Sequence, residues 1–245
     1  LDSGLNLNCY QPTMMKPYQK IPIQECGERL VPIPDGLFSL ESPHPYRELG
    51  APYGDRSPFC LRESVLERLL EAQDILQTSH RGWRLRIFDA FRPVAVQQFM
   101  VDQALADLAE ERGLNPRRLS DSQRQELLEQ VYQFWAAPSH DPEDPPPHAT
   151  GGAVDLTLVN ATNQVVNMGS PIDEISRRSH PDYFASATAD PEQGYHHHRQ
   201  LLAEVMRQVG FAQHPQEWWH FCYGERMWAW LTGEAAAMYG RQDTD

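Results

Sequence analysis

Four side chains form a pattern that could do chemistry. In His148-Ala-Thr-Gly-Gly-Ala-Val-Asp155 an imidazole and a carboxylate flank Gly151 and Gly152, and Glu217-Trp-Trp-His220 adds a second imidazole with a carboxylate three residues before it. A hydrolytic zinc site draws three protein ligands from His, Asp and Glu and leaves a fourth position for water, whose pKa the metal lowers to about 7. His148, Asp155 and His220 supply such a set. Glu217 then stays off the metal and is placed to take a proton from that water, the division of roles in metal-assisted hydrolysis. The paired glycines let the backbone double back, or pass close to the metal where a side chain would obstruct.

Those residues need elements to hold them. Pro142, Pro145, Pro146 and Pro147 deny residues 138–152 a helix and predict a rigid, mostly polyproline-like approach to His148. Residues 153–160 then alternate as a strand, with Asp155 on the face opposite Leu156 and Leu158. Residues 218–223 read as another strand. Upstream, the spacing of Val65, Leu66, Leu69, Leu70, Ala72, Ile75 and Leu76 predicts an amphipathic helix over 61–77. Residues 83–91 alternate as a strand with one wet face that ends at Arg92-Pro93. Pro93 opens a second helix that runs to Gly113, and Ser120 or Asp121 caps a third over 120–136. Residues 160–195 read mainly as loop, a helix over 197–209 stops at Gly210, and residues 227–240 suggest a terminal helix. The expected fold is α+β, with helices packed on a central, mostly antiparallel sheet. A single domain is expected, with an irregular lead-in at 1–60, a core at 61–225, and a C-terminal helix and tail at 226–245.

Two other groups compete as ligands. His196, His197 and His198 are consecutive, and neighbouring helical residues point about 100° apart, so they read as solvated histidines at a helix start. Cys222 shares the strand face of His220 by a period of two, but reads as a buried thiol. Cys9, Cys26, Cys60 and Cys222 are too widely spread for a CxxC motif and are expected as thiols.

Composition narrows the partners. A length of 245 residues suits one domain with long loops, and 40% hydrophobic against 22% charged residues excludes a disordered chain. With 21 Lys+Arg against 34 Asp+Glu the net charge is −13, a field that repels nucleic-acid phosphates and anionic membranes. No run approaches the roughly 18 apolar residues of a membrane span, and residues 1–12 lack the basic start and apolar centre of a signal peptide. A soluble, cytoplasmic protein is expected, with export the alternative if a leader preceded Leu1. The oligomeric state is not legible.

Beyond spacing, these residues resemble the D-alanyl-D-alanine dipeptidases, a VanX-like branch of zinc peptidases that also includes D,D-carboxypeptidases and shares a fold with the Hedgehog signalling domain. The pattern S-x-H-x-x-G-x-A-x-D, followed later by E-x-W-H, is matched at His148, Gly151, Ala153, Asp155, Glu217, Trp219 and His220. The likeness extends through Asp89-Ala-Phe-Arg92-Pro93 and the segment from Met168 to His180, covering roughly residues 45–225. It implies one zinc ion per chain on His148, Asp155 and His220, Glu217 as general base and acid, and Arg92 as stabiliser of the oxyanion. Asp173 is similar to the acid that holds the substrate's ammonium, and Tyr53 is expected to help line the pocket. One position departs: Pro146 stands where the family has serine, so a hydroxyl expected near the substrate is missing. The implied substrate is the D-Ala-D-Ala dipeptide, with a D,D-carboxypeptidase or other small cell-wall peptide hydrolase as one alternative and a non-catalytic zinc-binding module as a second.

Overall fold

The computed structural model describes residues 16–242, so Cys9 and the expectations for residues 1–12 lie outside it. In chain order its strands are β1 (Leu30–Pro32), β2 (Ser39–Leu40), β3 (Cys60–Arg62), β4 (Arg84–Asp89), β5 (Ala153–Val159), β6 (Ala212–Gln213) and β7 (His220–Cys222). The helices are α1 (Pro45–Glu48), α2 (Glu63–Ser79), α3 (Val94–Glu111), α4 (Asp121–Phe134), α5 (Glu192–Gln208) and α6 (Arg226–Thr232). One sheet runs in the order β2-β4-β5-β7-β6, while β1 and β3 pair separately. Only the short β2–β4 pair is parallel, so the sheet is mostly antiparallel and the fold is α+β, as expected.

Alternation along β4 and β5 sends Leu85, Ile87, Val154, Leu156 and Leu158 to one face, where they pack with Leu69 and Leu76 of α2 and Leu202 and Met206 of α5. Each such side chain contributes about 1.5–3 kcal/mol by leaving water. The opposite face is therefore anchored from behind and carries Asp155. A second apolar cluster joins α3 and α4 to Tyr46 and Tyr53. The start of α4 is the one its sequence implies: the Gln123 amide donates to Ser120 Oγ and the Ser120 amide donates to Gln123 Oε1, a reciprocal cap.

Several boundaries differ, each for a local reason. Residues 60–62 are drawn into pairing with β1, so α2 starts at Glu63. The prolines before His148 end in a turn of 3-10 helix, Pro147–Thr150, not in a polyproline run: Pro147 suits a first helical position, and Thr150 Oγ1 donates to the Pro147 carbonyl at 2.6 Å. Helix α5 starts at Glu192, just after Pro191, which places the three histidines inside its second turn. His197 is exposed, but His196 and His198 are half-buried, and His198 Nδ1 lies 2.9 Å from the Asn167 carbonyl oxygen. The expected terminal helix stops at Thr232, because Gly233 takes a left-handed φ of 79°. The chain beyond returns to residues 22–24, where Ala237 exchanges backbone hydrogen bonds with Pro22 and Gln24. Cys26, Cys60 and Cys222 are free thiols. Among the described residues no helix is long and apolar enough to cross a membrane.

Candidate metal centre

Strand register assembles the site. Asp155 on β5 stands directly opposite His220 on β7, and on its other side opposite Asp89 on β4. The second pairing depends on a bulge. Ile87 faces Leu156 but Asp89 faces Asp155, so two residues of β4 advance against one of β5. Strict alternation would leave Asp89 on the leucine face; the extra residue turns it to the face of Asp155.

His148 arrives from the 3-10 turn. Fully buried Arg62 clasps that turn, its Nε donating to the Thr150 carbonyl at 2.7 Å while its amide donates to Gly151. The two glycines are required, although no metal is what crowds them: a Cβ at Gly151, whose φ is 73°, would collide with Leu30, and one at Gly152 would lie 2.6 Å from the Tyr223 carbonyl oxygen. Glu217 and Trp218 precede β7, held where the Trp218 amide donates to the Ser179 carbonyl and its indole to Ser170 Oγ.

The donor atoms of His148, Asp155 and His220 all lie within 4.8 Å of one another and are buried. His148 Nδ1 is 2.7 Å from the Ala90 carbonyl, which can only accept, so this nitrogen carries the proton and Nε2 presents a lone pair. That lone pair faces Asp155 Oδ2 at 3.2 Å and His220 Nδ1 at 3.2 Å, while Asp155 Oδ1 is 2.9 Å from the same His220 nitrogen. At least one of these contacts sets acceptor against acceptor, and a cation relieves it. Ligand arms of 2.0–2.1 Å at tetrahedral angles give donor separations of about 3.3 Å, close to those found. His220 Nε2 is also buried without a partner among the described residues. Burial alone would raise the Asp155 pKa, but His148 and His220 hold its carboxyl below the usual range, in the anionic form a metal needs. The set fits a zinc ion.

Around this triad lies a narrow cavity of about 50 Å³, lined among others by Arg92, Asp173, Glu217, Trp219 and Lys16. Glu217 is buried and its carboxyl makes no hydrogen bond among the described residues; its oxygens stand 3.8 Å from His214 Nδ1 and His220 Nδ1. Burial and the neighbouring carboxylates of Asp155 and Asp173 push its pKa well above the ordinary value. Arg92 donates to Asp89 (2.9 Å), Gln97 (3.0 Å), Tyr46 (3.2 Å) and Asp155 (3.2 Å). A guanidinium has five N–H donors, so one on Nη1 is left for the cavity. Asp173 is half-buried with a φ of 65°, and accepts a hydrogen bond from Tyr46 at 2.7 Å. Burial and Asp155 push its pKa up to about 7.

Tyr53 does not line this cavity. Its hydroxyl is drawn to the fully buried Asp89 carboxylate at 3.0 Å, a charge that needs donors on every side. Cys222 is likewise apart, its thiol directed at the Ala212 carbonyl.

Sequence reasoning missed His44, Tyr46, Gln97, His214 and Lys16. His44 Nε2 supports Asp89 at 3.2 Å, and Gln97 carries Arg92 while donating to Ala136. Gln97 lies five residues after Arg92, in the first turn of α3, where no local signal links the two; His44 and Tyr46 lie in a segment whose prolines read only as turns.

A family model described as D-ala-D-ala dipeptidase matches residues 40–233. The chain is 45% identical to a D-alanyl-D-alanine dipeptidase of Synechocystis sp., over 94% of its own length and 98% of the relative's. It is 31% identical to a D-alanyl-D-alanine dipeptidase of Enterococcus faecium, over 64% of this chain and 69% of that one. A solved structure of the vancomycin-resistance D,D-pentapeptidase VanY in complex with Zn(II) aligns with a TM-score of 0.42 and 13% identity, covering 73% of this chain and 81% of that one. With nearly the full length of both chains aligned to the first relative, and with the motif residues gathered at one centre, the chain belongs to the D-ala-D-ala dipeptidase family.

Proposed function

We propose that the protein hydrolyses the D-alanyl-D-alanine dipeptide to free D-alanine, with His148, Asp155 and His220 holding zinc, Glu217 moving the proton and Arg92 facing the scissile carbonyl. The observation that carries this reading is the convergence of the triad's ligand atoms beside a buried residue, Glu217, whose carboxyl makes no hydrogen bond among the described residues. When bound there, zinc supplies a water acidified to a pKa of about 7 and polarises the carbonyl.

The chain's own residues do the rest. Glu217 takes the proton from the attacking water and returns it to the leaving amine; its raised pKa brings the carboxyl toward the range in which one group serves as base and then acid. The free Nη1–H of Arg92 meets the charge that develops on the carbonyl oxygen. Its other contacts hold the guanidinium still, so no reorganisation is needed as that charge appears. Asp173 presents a carboxylate to the ammonium end of the substrate. A cavity of about 50 Å³ has room for on the order of four waters, which suits a small substrate over a threaded polypeptide.

Metal content by mass spectrometry, with D-alanine release measured before and after a chelator, tests the reading. Activity lost on chelation and restored by zinc is expected. Retained activity in metal-free protein, or a strong preference for a pentapeptide ending in D-Ala-D-Ala over the free dipeptide, would overturn it.

A further inference from the structure

We infer that Lys16 binds the C-terminal carboxylate of the substrate and thereby restricts the enzyme to peptides with a free C-terminus, an inference that rests on the dipeptidase reading above. The cavity around the metal triad has two cationic side chains in its wall, Lys16 and Arg92. Arg92 is committed: Asp89 and Asp155 balance its charge, and four of its donors are taken. Lys16 is not. It stands half-buried just before a single turn, Pro17–Lys20, and the described residues give its ammonium neither an ion pair nor a hydrogen bond. A partly desolvated ammonium without a hydrogen-bonded partner is costly, and a ligand carboxylate would relieve that cost.

A dipeptide zwitterion carries one charge at each end. Asp173, bonded to Tyr46 beside Arg92, presents the anion for the ammonium. Lys16 feels instead the charges of Glu217 and Asp144, which work against the lowering of its pKa by burial and help keep it a cation. The two complementary charges line one cavity. Sequence supplies a second reason. Pro146 replaces the serine expected near the substrate and has neither a hydroxyl nor an N–H to offer. Pro146 and Lys16 line the same crevice, which shares Lys16, Tyr18 and Trp135 with the wall of the metal cavity. A cation therefore lines the same crevice as the proline that lacks the family's hydroxyl donor.

The test compares zinc-loaded wild-type, Lys16→Met, Lys16→Gln and Lys16→Arg proteins on D-Ala-D-Ala and on its C-terminal amide, with zinc content measured for each. Charged hydrogen bonds are worth about 1.5–3 kcal/mol, or roughly 10–100-fold. Wild-type protein is expected to favour the free acid by that factor. In Lys16→Met and Lys16→Gln the ratio of kcat/KM between acid and amide should collapse, chiefly through a higher KM for the acid, and Lys16→Arg should recover part of it. A ratio preserved in both neutral variants overturns the inference alone, as does a loss confined to kcat, which would mean that the ammonium acts on Glu217 and not on the substrate. Wild-type protein that cleaves neither compound overturns the dipeptidase reading and the inference together.

Discussion

Replacing Glu217 with glutamine removes the proposed proton carrier and little else. The side chain keeps its size, and the carboxylate it replaces makes no hydrogen bond among the described residues, so no structural partner is lost. General acid–base catalysis by one positioned group is worth about 10²–10⁴-fold, or roughly 3–5 kcal/mol of barrier. Glu217→Gln is therefore expected to lower kcat for D-Ala-D-Ala by at least about a hundredfold with its zinc content intact. Stability should move the other way. A carboxyl whose pKa is raised in the fold binds more protons folded than unfolded, so its contribution weakens as pH rises from the unfolded value of about 4.3 toward the folded one. In metal-free protein at neutral pH the neutral amide lifts that burden, and Tm should rise. D-alanine release, metal analysis and thermal melts at pH 5 and 7.5 check all three. A Gln variant that retains zinc and turns over within tenfold of wild type would refute the role of Glu217.

Three further outcomes follow from the geometry. His220→Ala removes the donor opposite Asp155, and zinc stoichiometry by mass spectrometry should fall from about one toward zero at micromolar metal; full occupancy would mean that His220 is not a ligand. Asp89→Asn weakens the contacts that receive Arg92, Tyr53 and His44, and a melt should show about 2–4 kcal/mol of lost stability together with lower kcat, whereas an unchanged Tm would separate Asp89 from the support of Arg92. On the proposed reading Asp173 would hold the ammonium only as a carboxylate, so KM for the dipeptide should climb as pH falls through about 7, or through a lower midpoint once zinc adds positive charge; a flat KM from pH 5 to 8 would contradict that role.

The chain's motifs and local elements were legible from sequence because they depend on short-range physics. The reciprocal cap at Ser120, the opening of α3 after Pro93 and the Asp155 face opposite the leucines all follow from residues a few positions apart. The candidate ligands were legible for a different reason: only a few residue types can bind zinc. Where local cues competed, they misled: the prolines before His148 suggested an extended run, yet the donors and acceptors of the next four residues close a 3-10 turn.

Sequence by itself nominated side chains whose types suit a reaction; only the tertiary structure decided which of them meet. Asp155 and His220 are 65 residues apart, and a period of two states which face each occupies but not which residue lies opposite. The bulge that turns Asp89 toward Asp155 contradicts the alternation of its own strand, and only the paired strands make that register favourable. Tyr53, Gln97 and His44 acquire their roles for the same reason: a buried charge recruits whatever donors and acceptors the folded chain has brought within about 3 Å, and sequence distance has no part in that selection.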